Sequence, residues 1–339
     1  MVILNWNTRE YLRRFLPGLL RSCDGLDAEV IVADSASTDG SMEMMSSEFP
    51  SVRTVRLDSN YGFTGGYNRA LAGLDAEYFV LINSDIEVSG NWLGPLVGWM
   101  DSHPRCGVCG PKLHKLLPEG PCEEFEYAGA AGGLIDRFGY PFCRGRVLQR
   151  TETDCGQYDK PCDVLWVSGA CLMTRASLWK SLGGLDDRFF AHMEEIDYCW
   201  RAQLEGWKVT VVPDSVVCHI GGGTLPQSSP FKLKLNYRNN LLLLDNNLAR
   251  TIGEAAAARR IAFRRFLDSG SAFVYLLTGR YACFKAVVDA GREYRALKRR
   301  PGKGGKKDVD GLEPVSILFQ SAIRGKRIFN YLRRYEDSH

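Results

Sequence analysis

Val30-Ile31-Val32-Ala33-Asp34-Ser35-Ala36-Ser37-Thr38-Asp39-Gly40-Ser41 runs an apolar stretch straight into two carboxylates and a cluster of small hydroxyl residues. A short apolar run closed by such a turn suits a strand buried in a parallel sheet, followed by a helix. Ser37, Thr38 or Asp39 could simply cap that helix by accepting its free N–H groups. Asp34 lies before the cap and is not explained in this way.

The same alternation continues on both sides. Upstream lie an apolar run, Val2 to Leu4, and a helical pattern around Tyr11 to Leu20. Downstream lie Val52 to Leu57, a helical pattern around Gly65 to Leu74, and Tyr78 to Ile82. Strands spaced by helices predict an α/β, Rossmann-like, mostly parallel central sheet flanked by helices. In open sheets of this kind the ligand crevice lies beyond the carboxyl ends of the strands, so polar residues clustered there are the candidates for function.

Four more clusters meet that condition. Asn60-Tyr61-Gly62-Phe63-Thr64-Gly65-Gly66-Tyr67-Asn68 forms a flexible loop running into a helix, where backbone N–H groups can approach a diphosphate; its glycine spacing is not that of a dinucleotide fingerprint, and an ordinary turn is the plain alternative. Asn83-Ser84-Asp85 follows the apolar Val80-Leu81-Ile82, and Asp85 is placed to offer an oxygen to Mg²⁺ or Mn²⁺. Phe189 to Arg201 brings Glu194, Glu195 and Asp197 to a helix start. Acids there favour the positive helix end, and Asp197 with Arg201 could be an i,i+4 pair; a carboxylate beside a cleft can equally serve as a general base. His219, closing Val216-Val217-Cys218, precedes Gly221, Gly222 and Gly223, a setting that suits a ligand role.

Composition narrows the function. The 339 residues are 45% hydrophobic, enough for a full core, and 43 Lys and Arg against 40 Asp and Glu give no reason to expect nucleic-acid binding. Eleven scattered cysteines, an odd count, read as reduced thiols of a cytosolic protein, and Cys106-x-x-Cys109 lacks a regularly spaced second pair for zinc. No apolar run reaches the ~18 residues of a membrane-spanning helix, so no integral membrane protein is expected. Met1 sits directly on the first strand, and the natural start is expected upstream.

Residues 105–165 turn to Gly, Pro, Cys and charge and predict irregular strands and loops, an insertion facing substrate. Regular signals return at Val164 to Thr174, Met193 to Glu205 and Lys208 to Val212. After Pro230 the chain becomes helical and basic, with a Gly- and Lys-rich linker at Pro301 to Lys307. The basic, partly apolar region 255–300 fits either a face lying on anionic lipid or helices packed back on the catalytic domain.

In order and spacing these clusters resemble the family 2 glycosyltransferases of GT-A fold, in the branch of bacterial rhamnosyltransferase-like enzymes, over roughly residues 2–245. The match is carried by Ile3-Leu4-Asn5-Trp6-Asn7, Asp34 to Ser41, the Asn60 to Asn68 loop, Leu81 to Asp85, Trp166-Val167-Ser168-Gly169-Ala170, Glu194 to Asp197, and His219. The resemblance implies a catalytic domain at 1–230, with its nucleotide-binding half at about 1–104 and its acceptor half at about 105–230, then a helical, basic region at 231–339. Asn5, Asp34, Asn60, Gly62, Asn68, Asn83 and Asp85 would bind the nucleotide or donor, with Asp34 reading the base. Asp85 and His219 would hold Mg²⁺ or Mn²⁺, Glu195 would be the catalytic base, and Trp166, Gly169, Glu194 and Asp197 would meet the acceptor, with plain core an equal reading for Trp166.

Two departures stand out: Asn83 replaces the first Asp of the metal motif, and Glu194-Glu195 replaces the usual Glu-Asp. The first leaves one carboxylate for the metal, and the second lengthens the base by one methylene. The implied activity is inverting transfer of a sugar from a nucleotide diphosphate sugar, dTDP- or UDP-linked, to a hydroxyl of a cell-surface polysaccharide or lipid-linked glycan. The site is expected to be cytoplasmic, with peripheral association on the cytoplasmic face of the inner membrane. A non-catalytic nucleotide- or glycan-binding protein of the same fold is the alternative. Sugar-nucleotide synthesis ranks third, because Asn5-Trp6-Asn7-Thr8 stands where a Gly-rich loop with Arg and Lys would be needed.

Overall fold

The computed structural model describes residues 1–88, 90–221, 229–299, 305–325 and 328–336. Gly222, Gly223, Arg300 and residues 301–304 of the expected linker lie outside them.

The first half is built as the sequence predicts. Strands β1 (Val2–Asn5), β2 (Ile31–Asp34), β3 (Arg53–Arg56) and β4 (Tyr78–Ile82) alternate with helices α1 (Arg9–Ser22), α2 (Ser41–Glu48) and α3 (Gly62–Leu71). All four strands are parallel in the order β4-β1-β2-β3, with Asn5 in register with Asp34 and Asp34 with Arg56. Side chains alternate across the sheet, so Ile3, Val32, Val80 and Ile82 pack with Leu12, Leu16 and Leu19 of α1 in one core. Val2, Ile31, Ala33 and Leu81 pack with Tyr67, Ala70 and Leu71 of α3 in another. Each fully buried aliphatic side chain contributes roughly 1.5–3 kcal/mol.

Beyond β4 come β5 (Ile86–Val88), α4 (Leu93–Ser102), β6 (Cys106–Leu117) and β7 (Gly120–Phe125). A small separate sheet follows, of β8 (Gly133–Ile135), β9 (Pro141–Cys143), β10 (Arg146–Val147) and β11 (Arg150–Thr151). Next are β12 (Cys162–Asp163), β13 (Cys171–Arg175), α5 (Ala176–Leu182), α6 (Glu194–Leu204) and β14 (Lys208–His219). The main sheet runs β12-β14-β6-β13-β4-β1-β2-β3.

This corrects the expectation of an irregular insertion at 105–165. β6 is a twelve-residue strand in the middle of the sheet, and only the part after it is irregular. β13 is antiparallel to both β4 and β6, and β6 is parallel to β14. β14 therefore ends on the same edge as β1, β2 and β4, which brings His219 to the crevice. The C-terminal helices α7 (Pro230–Ile252), α8 (Glu254–Leu277), α9 (Tyr281–Leu297), α10 (Ile317–Arg324) and α11 (Ile328–Glu336) complete the chain. Leu241 to Leu244 and Leu248 of α7 share the core that covers α3 and α6.

Candidate active site

The end of β2 holds Asp34 in one orientation. Its Oδ1 accepts from Asn5 Nδ2 at 2.7 Å, its Oδ2 accepts the Ser37 N–H at 3.0 Å, and both residues are buried. Asn5 Oδ1 in turn accepts from the Thr8 hydroxyl, and Ser84 donates to that hydroxyl at 2.9 Å, linking the β1, β2 and β4 ends. Asp39 takes the cap role: its Oδ1 accepts from the Ser41 N–H and hydroxyl, and its Oδ2 from the Arg9 N–H.

At the β4 and β14 ends, Asp85 Oδ1 lies 3.2 Å and Asn83 Nδ2 3.4 Å from the same nitrogen, His219 Nε2. The other ring nitrogen faces Glu126 Oε2 at 3.6 Å, within ion-pair range but too long for a hydrogen bond. Glu126, just after β7, was missed by sequence reasoning because nothing around it resembles a motif. His219 is 5% exposed. Burial disfavours its charge, but the Asp85 and Glu126 carboxylates outweigh that and push it up to about 10. Two carboxylates around one buried imidazole form a donor set short of positive charge, which suits a divalent cation. Asp85 and His219 Nε2 would be the ligands, with Glu126 orienting the ring from behind. Among the described residues no three His, Cys, Asp or Glu side chains converge into a complete cage. Two protein ligands leave the remaining positions to phosphate oxygens and water. No disulfide joins Cys106, Cys109 or any other cysteine among the described residues.

Glu195 enters from a strained turn. Phe190 (φ +64°), His192 (φ +72°) and Met193 (φ +71°) all adopt backbone conformations that non-glycine residues rarely take. Phe190, at ψ −60°, is the centre of a tight turn closed by the Ala191 N–H on the Phe189 carbonyl at 2.7 Å. Asn239 of α7 holds this turn, its buried Nδ2 reaching the carbonyls of Phe189, Ala191 and His192 at 3.0, 2.8 and 2.7 Å. Arg238 Nη2 adds the carbonyls of Arg188 and Phe189. On the other side the Thr64 N–H donates to the Phe190 carbonyl. Gly62, at φ +70°, permits this approach: a Cβ there would meet the Phe190 ring and carbonyl oxygen at 2.5 Å. Asn60 Oδ1 accepts the Gly62 N–H at 2.9 Å, fixing the loop that leads into α3.

The result is a carboxyl pair at the head of α6. Glu195 faces Gly169, whose position for a Cβ lies 3.4 Å from Glu195 Cβ and 3.5 Å from Phe63 Cζ. Burial pushes Glu195 up to about 7, offset in part by backbone N–H groups at the helix start. Glu194 is buried deeper, its Oε2 has no hydrogen-bond partner, and burial and the neighbouring Glu195 charge raise it well above the usual carboxylate range. Burial opposes the charge of both carboxyls, and in Glu194 the neighbouring Glu195 adds to it.

Three expected roles change. Asp197 is fully buried, accepting from Arg201, Asn246 and Asn247, so it pins α6 to α7 and has no oxygen left for an acceptor. Trp166 is 2% exposed, its indole packed on Gly133 and donating to the Leu134 carbonyl, so it supports the core and presents no stacking face. Asn68 turns to the 185–187 turn, exchanging bonds with Leu185 and donating to Asp187, so its amide is committed to positioning that turn.

Comparisons with known proteins agree with this architecture. The profile described as Glycosyl transferase family 2 matches residues 1–124. An N-acetylglucosaminyl-diphospho-decaprenol L-rhamnosyltransferase of Mycobacterium tuberculosis is 27% identical over 238 residues, covering 65% of this chain and 75% of its own. Among solved structures, GalNAc-T7 with UDP, GalNAc and Mn²⁺ superposes with a TM-score of 0.55 at 18% identity, over 70% of this chain and 46% of that one. Residues 1–349 of S. aureus TarS in complex with UDP-GlcNAc superpose with a TM-score of 0.54 at 15% identity, over 99% of this chain and 87% of that one. With its strand-end motifs, its sheet order and these relatives taken together, the chain has the GT-A fold, carries a glycosyl transferase family 2 match over residues 1–124, and is similar to rhamnosyltransferases.

Proposed function

We propose that this enzyme transfers a sugar, with inversion, from a nucleoside diphosphate sugar to a hydroxyl of a glycan acceptor, using Glu195 as general base. The observation that carries the proposal is Glu195 itself: raised toward neutrality by burial, held by a strained turn, and facing Gly169 at the sheet edge that also bears Asp85 and His219.

Glu195 accepts the proton of the acceptor hydroxyl as that oxygen bonds to the anomeric carbon. On the opposite face the bond from the anomeric carbon to the diphosphate oxygen breaks, and the nucleoside diphosphate leaves. A single displacement inverts the anomeric configuration, and the base contributes roughly a hundred- to ten-thousandfold in rate. Asp34, fixed by Asn5 and Ser37, holds the nucleoside, while Asn60 and Gly62 shape the loop beside the donor. A divalent cation held by Asp85 and His219 would neutralise charge building on the leaving diphosphate. An imidazole beside a single carboxylate favours Mn²⁺ over Mg²⁺, which prefers oxygen ligands. The charge of Glu194 is opposed by burial and by its neighbour, which favours Glu195 as the working base.

The donor is proposed to be dTDP- or UDP-linked and the acceptor a polysaccharide or a lipid-linked glycan, in keeping with the names of the mycobacterial relative and the TarS complex. We propose a cytoplasmic site for the reaction, as the family resemblance implies. Separately, no helix among the described residues is long and apolar enough to cross a membrane. The test is nucleotide release from a panel of sugar nucleotides with Mn²⁺, Mg²⁺ or EDTA. Turnover of one donor, best with Mn²⁺ and lost in Asp85→Ala, is expected; turnover undiminished by EDTA would overturn the metal role. Calorimetry showing that no sugar nucleotide binds would favour the non-catalytic alternative.

A further inference from the structure

The packing of α8 separates the two readings of region 255–300. Its buried residues, Ala257, Arg264, Asp268 and Ala272, recur at helical spacing and face α7 and α9. On the opposite side Phe263, Phe266, Phe273, Val274 and Leu277 recur at the same spacing and stay exposed, with Phe266 at 71%, Phe273 at 58% and Leu277 at 70%. Tyr281, at the start of α9, extends the stripe at 67% exposure. The inner face is fixed by polar bonds, since Arg264 pairs with Asp268 at 2.9 Å and stacks over Tyr140 at 4.0 Å. Turning the aromatic stripe inward would carry this ion pair out to solvent and break the stacking of Arg264 on Tyr140.

Charge identifies what covers it. Residues 254–299 carry ten Lys and Arg against four Asp and Glu, an excess of six, whereas the whole chain carries an excess of only three. Arg259 and Arg280 lie near the two ends of the stripe and Arg265 flanks it, all exposed. A second copy docking through the same face would bring two such positive hairpins together. A nucleic acid would match the charge and could stack on the aromatic rings, but would leave aliphatic Val274 and Leu277 in water. An anionic lipid surface satisfies both, taking aromatic and aliphatic side chains at the acyl boundary and arginines at the headgroups. We infer that the α8 face of the α7–α9 helices is a membrane-docking surface for an anionic leaflet, with the chain lying on the bilayer and not spanning it. This inference does not depend on the identity of donor or acceptor.

The test is flotation of the full chain with vesicles of phosphatidylcholine alone and of phosphatidylcholine with phosphatidylglycerol, at low and high salt. Salt-sensitive flotation with the anionic vesicles only is expected. Phe266→Ser/Phe273→Ser/Leu277→Ser should weaken it at least roughly tenfold, and Arg265→Glu/Arg280→Glu should abolish the preference for anionic lipid. Both variants change exposed residues, and unchanged thermal melts and sugar-nucleotide binding would establish that they fold. No flotation of the parent protein, or equal flotation of the folded triple variant, would overturn the inference. So would concentration-dependent self-association in sedimentation that the triple variant removes, which would make the stripe an interface between copies.

Discussion

Replacing Asn239 by Ala should disable the enzyme from a residue that touches neither nucleotide nor metal ligands. The Phe189 carbonyl keeps Arg238 as a donor, but those of Ala191 and His192 lose the bonds described for them. Leaving such groups unsatisfied costs about 1–3 kcal/mol each; both lie near the surface, where water can replace part of the loss, so a total of about 2–4 kcal/mol is expected. The turn they belong to stores strain at Phe190, His192 and Met193, about 1–3 kcal/mol per residue, and such strain persists only while its surroundings enforce it. Strain and lost restraint are comparable, so the turn should relax before the domain unfolds. Glu195 lies two residues beyond it, and a misplacement of about 1 Å costs on the order of a hundredfold in rate. Steady-state nucleotide release in the presence of acceptor should show kcat down by about that factor, while donor affinity by calorimetry changes little, because Asp34 and Asn5 are held independently. A lowered melting temperature with unchanged kcat would refute the positioning role and leave Asn239 a packing residue.

Three further outcomes follow from the same geometry. Burial raises Glu195 from its ordinary value to about 7, so the folded state favours the neutral form; the stability this contributes is present below about 4.5 and lost as pH rises through 7. Glu195→Gln should therefore melt higher than the parent at pH 8, by an equivalent of about 2–3 kcal/mol at most, and nearly alike at pH 4. The parent's transfer rate should rise with pH until about 7 and then level, since the base acts ionised; a rate that falls over that interval would contradict the assignment. Glu126→Gln should weaken Mn²⁺ binding in the presence of nucleoside diphosphate by roughly tenfold, measured by calorimetry, through loss of the carboxylate behind His219. Unchanged affinity would show that the ring needs no such support.

The parallel half of the fold was legible because its strands are continuous apolar runs with polar residues only at their ends, as in Val80-Leu81-Ile82 before Asn83. β6 was not, because Cys-Gly-Val-Cys-Gly-Pro-Lys at 106–112 reads as loop. Its glycines answer to tertiary contacts: a Cβ at Gly110 would lie 2.8 Å from Val167 Cβ, and one at Gly107 2.6 Å from Leu178. Asp34, Asp85, Glu195 and His219 stand out in the sequence because each lies just after a strand or at a helix start at the crevice, where position alone singles out a polar residue. Asp197 and Trp166 were given acceptor roles because spacing reveals neither the Asn246 and Asn247 amides closing over one nor the Gly133 backbone under the other. Glu126 and Asn239 act on residues 93 and more than 45 positions away, contacts no local pattern announces.

The most direct test of the catalytic assignment is the anomeric configuration of the product, read by nuclear magnetic resonance after transfer from whichever donor turns over. Inverted configuration in the parent, with no product from Glu195→Gln although that variant still binds donor, is the expected result. Retained configuration, or transfer by Glu195→Gln at the parent's rate, would contradict a single displacement driven by Glu195.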